Sequence, residues 1–311
     1  MEPIGWSYDG AAGPATSPST RMTPWHFDDL TVDGIWEVTR GEGVEVAILD
    51  CGVGFVEALE GNKVERLDEV GEAESETRGW HGTMCASLIA SSRNEAPGLA
   101  PEAGIRSYQV ARANGQPALD RVKSALRHLT DQPVDLVLCA FTMPSGDDEL
   151  RRLVSELEHE QFVPIIAPAG KHRGGEDQGS FFPDHLSPVI VVGGYDAGRV
   201  PLKDARRGEW LDVAAPAVDI PAVSPSGELF YGQDTSAASA VAAGVCALIV
   251  ATAASFGEAS RIAARKKLSY LLRSTADDLS DPGRDPVTGY GAINPGEIVG
   301  RIEDNQGLGE L

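Results

Sequence analysis

Positive charge is what this chain has least of. Lys and Arg number 26 against 47 Asp and Glu, a formal net charge of −21. A nucleic-acid binder carries a basic face, so that balance argues against one; the surplus acid reads as a solubility device, the reading we favour, or as a bias toward basic substrates. Cysteine is sparse: Cys51, Cys85, Cys139 and Cys246 are scattered through apolar stretches. No C-x-x-C pair or zinc-type spacing links them, so buried free thiols in a reducing compartment are expected. The first twenty residues, MEPIGWSYDGAAGPATSPST, have neither a basic start nor an apolar stretch and do not read as a secretory signal. No H-E-x-x-H or histidine cluster points to a catalytic metal. The Gly-Glu-Gly at 41–43 precedes a strand pattern instead of following one, which does not match a dinucleotide turn. Long leucine-rich runs are missing as well. Thr235–Gly257 is uncharged, but Ala, Ser and Gly dominate it, as in a helix packed inside a soluble core. The expectations are a cytoplasmic protein with no metal, no cofactor, no nucleic-acid partner and no membrane partner. The sequence leaves its oligomeric state open.

What is present is an alternation of short apolar strands and helices. Hydrophobic residues make up 42% of 311, enough for one large core. Residues 1–22 are rich in Gly, Pro, Ser and Thr and read as a flexible arm. Strand patterns follow at 44–50, 105–111, 134–141, 163–170, 188–194 and 210–217. Helical spacing occupies 81–92, 118–129, 147–160, the segment beginning near Ser236, and 259–275. Such an alternation predicts a three-layer, doubly wound, mostly parallel α/β sheet with helices on both faces. We expect one domain over 23–303 and a short tail at 304–311.

In an open parallel sheet, ligands gather beyond the carboxyl ends of the strands. Asp50 ends the first strand, His81 opens a helix, Lys171 and His172 follow the strand ending near Ala169, and Ser236 opens another helix. A serine hydroxyl becomes a nucleophile when a nearby imidazole takes its proton, and a buried carboxylate fixes that imidazole's tautomer. Each residue also has a plain structural role. Asp50 can cap a turn with Cys51-Gly52, His81 can neighbour an N-cap, and Ser236 beside Asp234 and Thr235 is ordinary capping chemistry.

The three motifs VAILDCGVG, HGTMCASLIA and DTSAASAVAAG together resemble the subtilisin-like serine proteases, with Asp, His and Ser in that family's chain order. The segments FFPDHLSPVIVVGGYD, WLDVAAPAVDI and LLRSTADDL…GYGAINPGEIV are similar to others of the family, so the likeness runs from about Pro24 to Ile298. It implies a serine endopeptidase acting on a peptide or protein substrate. Asp50, His81 and Ser236 would be its catalytic residues, and Lys171 with the Ser236 amide would hold the oxyanion. Ala140, Phe141 and Thr142 would line one wall of the substrate cleft, and Pro168, Ala169 and Gly170 the other.

Several positions depart from the family pattern. Lys171 stands where the family has an oxyanion-binding asparagine, Asp234 replaces a glycine, Ala240 replaces a proline, and Thr142 stands where the cleft segment has glycine. Thr142 should narrow the first specificity pocket or block backbone pairing with substrate, and a narrow pocket favours a restricted substrate such as a precursor peptide or one regulatory protein. Asp234 puts negative charge near a developing oxyanion, so an interaction with Lys171 is expected. The loop SSRNEAPGLAP is short where many relatives hold calcium, and no calcium site is predicted there. No long inhibitory propeptide is expected ahead of the domain. Residues 1–22 either occlude the cleft or form an unstructured tail, the reading we favour. The alternative to an enzyme is a pseudoprotease, a peptide-binding module with a disabled oxyanion site.

Overall fold

The computed structural model describes residues 23–60, 64–67, 79–112, 115–144, 147–171, 181–182, 189–280 and 282–308. The expected arm, His172, most of the FFPDHLSP segment and the last three residues lie outside them. Two short helices, α1 (Trp25–Asp29) and α2 (Val32–Ile35), lead into β1 (Glu45–Asp50). After it come β2 (Val64–Leu67), α3 (Trp80–Ala90), β3 (Gly104–Gln109), α4 (Leu119–Asp131), β4 (Leu136–Cys139), β5 (Met143–Pro144) and α5 (Asp148–Ser155). The chain continues through β6 (Ile165–Pro168), β7 (Phe181–Phe182), β8 (Ile190–Tyr195) and β9 (Val213–Pro216). A hairpin of β10 (Ile220–Val223) and β11 (Leu229–Gly232) precedes α6 (Asp234–Ala254), α7 (Glu258–Ser274) and α8 (Pro295–Asp304).

Seven strands form a parallel sheet in the order β2-β3-β1-β4-β6-β8-β9, with β1 in register between β3 and β4. Successive side chains of a strand point to opposite faces, and β1 feeds two cores. Val46 and Ile48 join residues of α3, α6, α7 and α8 in the larger core, while Ala47 and Leu49 join residues of α4 and α5 in the smaller one. Both faces are therefore covered, which explains why the strands read as continuous β-branched runs. This is the three-layer α/β architecture expected from the alternation.

The uncharged Ala-rich segment is α6, 21 residues long and buried almost throughout. Among the described residues it is the one helix long and apolar enough to span a membrane, but it lies inside the domain. Its small side chains let neighbours approach closely: a Cβ on Gly244 would sit 2.8 Å from the Leu99 Cβ. Helix α5 was expected to run to residue 160, but from Glu156 to Glu160 the chain widens into a π turn. The edge strand β2 and the β10–β11 hairpin were not anticipated. The first is half-exposed and the second follows a short, Pro-containing pattern. Leu308, in the expected tail, is buried, and its amide donates to Ser260 Oγ at 2.8 Å.

Candidate active site

The carboxyl edge of β1 carries Asp50, which is fully buried. Its Oδ1 accepts the Cys51 amide at 2.6 Å and its Oδ2 meets His81 Nδ1 at 2.8 Å. With both oxygens engaged, the carboxylate compensates its burial and holds the imidazole in one orientation. His81 is the second residue of α3 and its side chain is 22% exposed, so the ring bridges the buried acid and the surface. This closeness of helix to strand requires glycine: a Cβ on Gly82 would lie 2.1 Å from the Gly52 carbonyl oxygen. Thr83 completes the fastening, its Oγ1 accepting the Gly54 amide at 2.8 Å.

Ser236 is the third residue of α6, which packs directly against α3. Gln233 occupies the N-cap position and makes no side-chain capping bond, so Ser236 does not serve as the cap. The flanking polar groups are committed elsewhere. Thr235 Oγ1 accepts the Gly170 amide at 3.1 Å, and the Asp234 carboxylate pairs with Lys171 Nζ at 2.5 Å. The expected Lys171–Asp234 interaction is thus formed. Asp234 adopts a left-handed backbone with φ of 82°, a region in which glycine is unstrained and Asp is tolerated. The side-chain hydrogen bond described at Ser236 involves its carbonyl, which accepts from Ser239 Oγ at 2.9 Å and leaves the Ser236 hydroxyl out of it.

The two expected cleft walls lie against each other. Gly170, with φ of 80°, faces Thr142 so closely that a Cβ there would come within 3.3 Å of both Thr142 Cγ2 and Oγ1. Of the six wall residues, Ala140, Phe141, Pro168 and Ala169 are buried, and only Thr142 and Gly170 are partly open to solvent. The Lys171 backbone bridges to Ala205, and the Arg206 amide donates to the Gly170 carbonyl at 2.9 Å, so the loop after β6 is held from below.

Sequence reasoning missed three contributors. Thr235 reads as a cap yet anchors the Gly170 loop. Arg206 is buried under that loop and stacks 4.9 Å from the Trp210 ring centroid. Trp80, next to His81, makes an edge contact with Phe230 of β11 at 4.6 Å. The Trp-His pair was visible in the sequence, but its partner, 150 positions away, was not.

Fold and edge together describe a parallel α/β sheet covered on both faces, with an acid–imidazole pair where the carboxyl end of β1 meets the start of α3. The profile of the subtilase family matches residues 41–291, and the chain belongs to that family. An intracellular serine protease of Paenibacillus polymyxa is 29% identical over 236 residues, covering 73% of this chain and 72% of that protein. Thermitase of Thermoactinomyces vulgaris is 27% identical over 253 residues, covering 80% and 86% respectively. Among solved structures, the MycP3 protease from the type VII (ESX-3) secretion system superposes with a TM-score of 0.76. It is 22% identical and covers 92% of this chain and 91% of that one, a likeness of fold. The chain is a subtilisin-like serine protease, a hydrolase of peptide or protein substrates.

Proposed function

We propose that hydrolysis proceeds through Ser236 as nucleophile, His81 as general base and then acid, and Asp50 as the group that orients His81. The observation carrying this reading is the 2.8 Å contact between the buried Asp50 carboxylate and His81 Nδ1. That contact holds the ring hydrogen on Nδ1 and leaves Nε2 with the lone pair that takes the serine proton. Ser236 attacks the scissile carbonyl, its proton passes to Nε2, and Nε2 returns it to the leaving amine. Water then repeats the sequence on the acyl-enzyme.

The tetrahedral oxyanion forms near the start of α6, where the helix dipole favours negative charge. We assign its donors as the Ser236 amide and the Lys171 ammonium. Thr142 pressed against Gly170 narrows the cleft, which supports a restricted substrate over general degradation. The peptidase unit spans 23–303 in this reading and works in the cytoplasm. That compartment draws support from the free thiols and from the intracellular protease among its relatives.

A fluorophosphonate probe tests the assignment. Covalent labelling of the folded protein that disappears in Ser236→Ala is the expected result. Labelling that persists in that variant, or none on well-folded wild-type protein, overturns it.

A further inference from the structure

The buried side of the acid–imidazole pair holds a thiol, Cys85, for which the hydrolytic mechanism has no use. Cys85 lies one helical turn beyond His81 on α3, on the same face, and its Sγ is 3.9 Å from His81 Nδ1. The donor atoms of Asp50, His81 and Cys85 all lie within 4.8 Å of one another. We propose that Asp50, His81 and Cys85 form an inhibitory zinc site that switches the protease off by capturing Nδ1 of its own histidine. This rests on the assignment of His81 as general base.

Two of the three ligand edges are close to what the ion needs, and the third, between Asp50 and Cys85, is within 4.8 Å. Zinc bonds of about 2.0–2.3 Å to O, N and S put neighbouring tetrahedral ligands about 3.3–3.6 Å apart. The Asp50–His81 contact would open by about 0.5 Å and the Cys85 contact would close by about 0.4 Å on that basis. The fourth position is left to a small ligand such as water. Charge also balances: a carboxylate, a thiolate and Zn²⁺ sum to zero, so the metal is buried without a net charge.

Inactivation follows from proton placement. A neutral imidazole carries one hydrogen. When Nδ1 gives its lone pair to zinc, that hydrogen sits on Nε2, which then has no lone pair for the Ser236 proton. Ligation as a thiolate releases the Cys85 proton to solvent. The His81-x-x-x-Cys85 spacing does not mark a metal site in the sequence, because its third ligand is 31 residues upstream, on a different element.

The test uses the full chain, a chromogenic peptide and zinc buffered by chelator. Zinc should abolish turnover, excess chelator should restore it, and Cys85→Ala should keep its basal activity. Even outer-shell changes cost about 10–100-fold in metal affinity, so the half-inhibitory zinc concentration of the variant should rise by at least about tenfold. Cys85→Ser, nearly isosteric, serves if the alanine variant folds poorly. Cobalt added to the wild type should give a thiolate-to-metal charge-transfer band that both variants lack. Equal zinc sensitivity of wild type and variants, or no such band, overturns the proposal. The cobalt band reads the site even in a protein without turnover, so failure here is distinct from failure of the triad assignment.

Discussion

Exchanging Lys171 and Asp234 singly and together probes the oxyanion assignment most directly. Their side chains meet at 2.5 Å but are 35% and 23% exposed, so the pair is partly in water. Such pairs contribute about 0–1 kcal/mol to stability. In catalysis the scale is larger, since losing one oxyanion donor costs about 10²–10³ in kcat, or about 2.7–4 kcal/mol. Lys171→Asn supplies an amide but strands the Asp234 carboxylate, unpaired, near the place where negative charge develops. It should lose most of that factor. Asp234→Gly removes the carboxylate and relieves the φ of 82°, leaving fold stability little changed because lost pairing and relieved strain oppose each other. In the double variant the amide acts without an opposing charge, so activity should recover above that of Lys171→Asn alone. The assay is kcat and KM on one chromogenic peptide for all four proteins, alongside their thermal midpoints. Effects on kcat/KM that add to within about 0.5 kcal/mol would refute the coupling.

Other outcomes follow from single buried contacts. Thr235 is 2% exposed and accepts the Gly170 amide, so Thr235→Val leaves that donor unpaired at a cost of about 1–3 kcal/mol. Thr235→Ser should restore both stability and turnover, and a valine variant as stable and active as wild type would remove Thr235 from the site's architecture. Glu158, in the π turn, is raised to about 8 by burial, with Oε1 accepting the Ile165 amide and Oε2 unpartnered among the described residues. A carboxyl that is neutral when folded and ionised when unfolded costs stability as pH climbs from its unfolded value of 4.5 to about 8, and the loss then levels off. Burial lowers His26 to about 3, so its own contribution changes only below its ordinary 6.5. The window between pH 6.5 and 8 therefore isolates the carboxyl from that histidine. Urea midpoints of wild type should fall across that window and those of Glu158→Gln should fall less; equal slopes would count against the assignment.

Periodicity and residue type were enough to define the layered α/β class, because a strand buried on both faces has to be apolar throughout and a helix between two layers has to be small and apolar all round. Motif order along the chain was enough to indicate the family. An acid at a strand end and a histidine and a serine at helix starts directed attention to the carboxyl edge of the sheet, since that is where parallel strands point. Folding alone decided what each polar group does. Thr235 and Asp234 look like a cap in the sequence, but in space they reach a loop 65 and 63 positions back, to Gly170 and Lys171. Gly82 is legible as a helix residue, whereas its 2.1 Å clearance from Gly52 follows from how α3 crosses the end of β1. Cys85 reads as a small apolar filler until β1 brings the Asp50 carboxylate beside the His81 ring above it. Local pattern encodes which face of an element is buried. Which distant groups then share that face depends on how the strands are ordered and the helices packed, and no stretch of sequence carries that by itself.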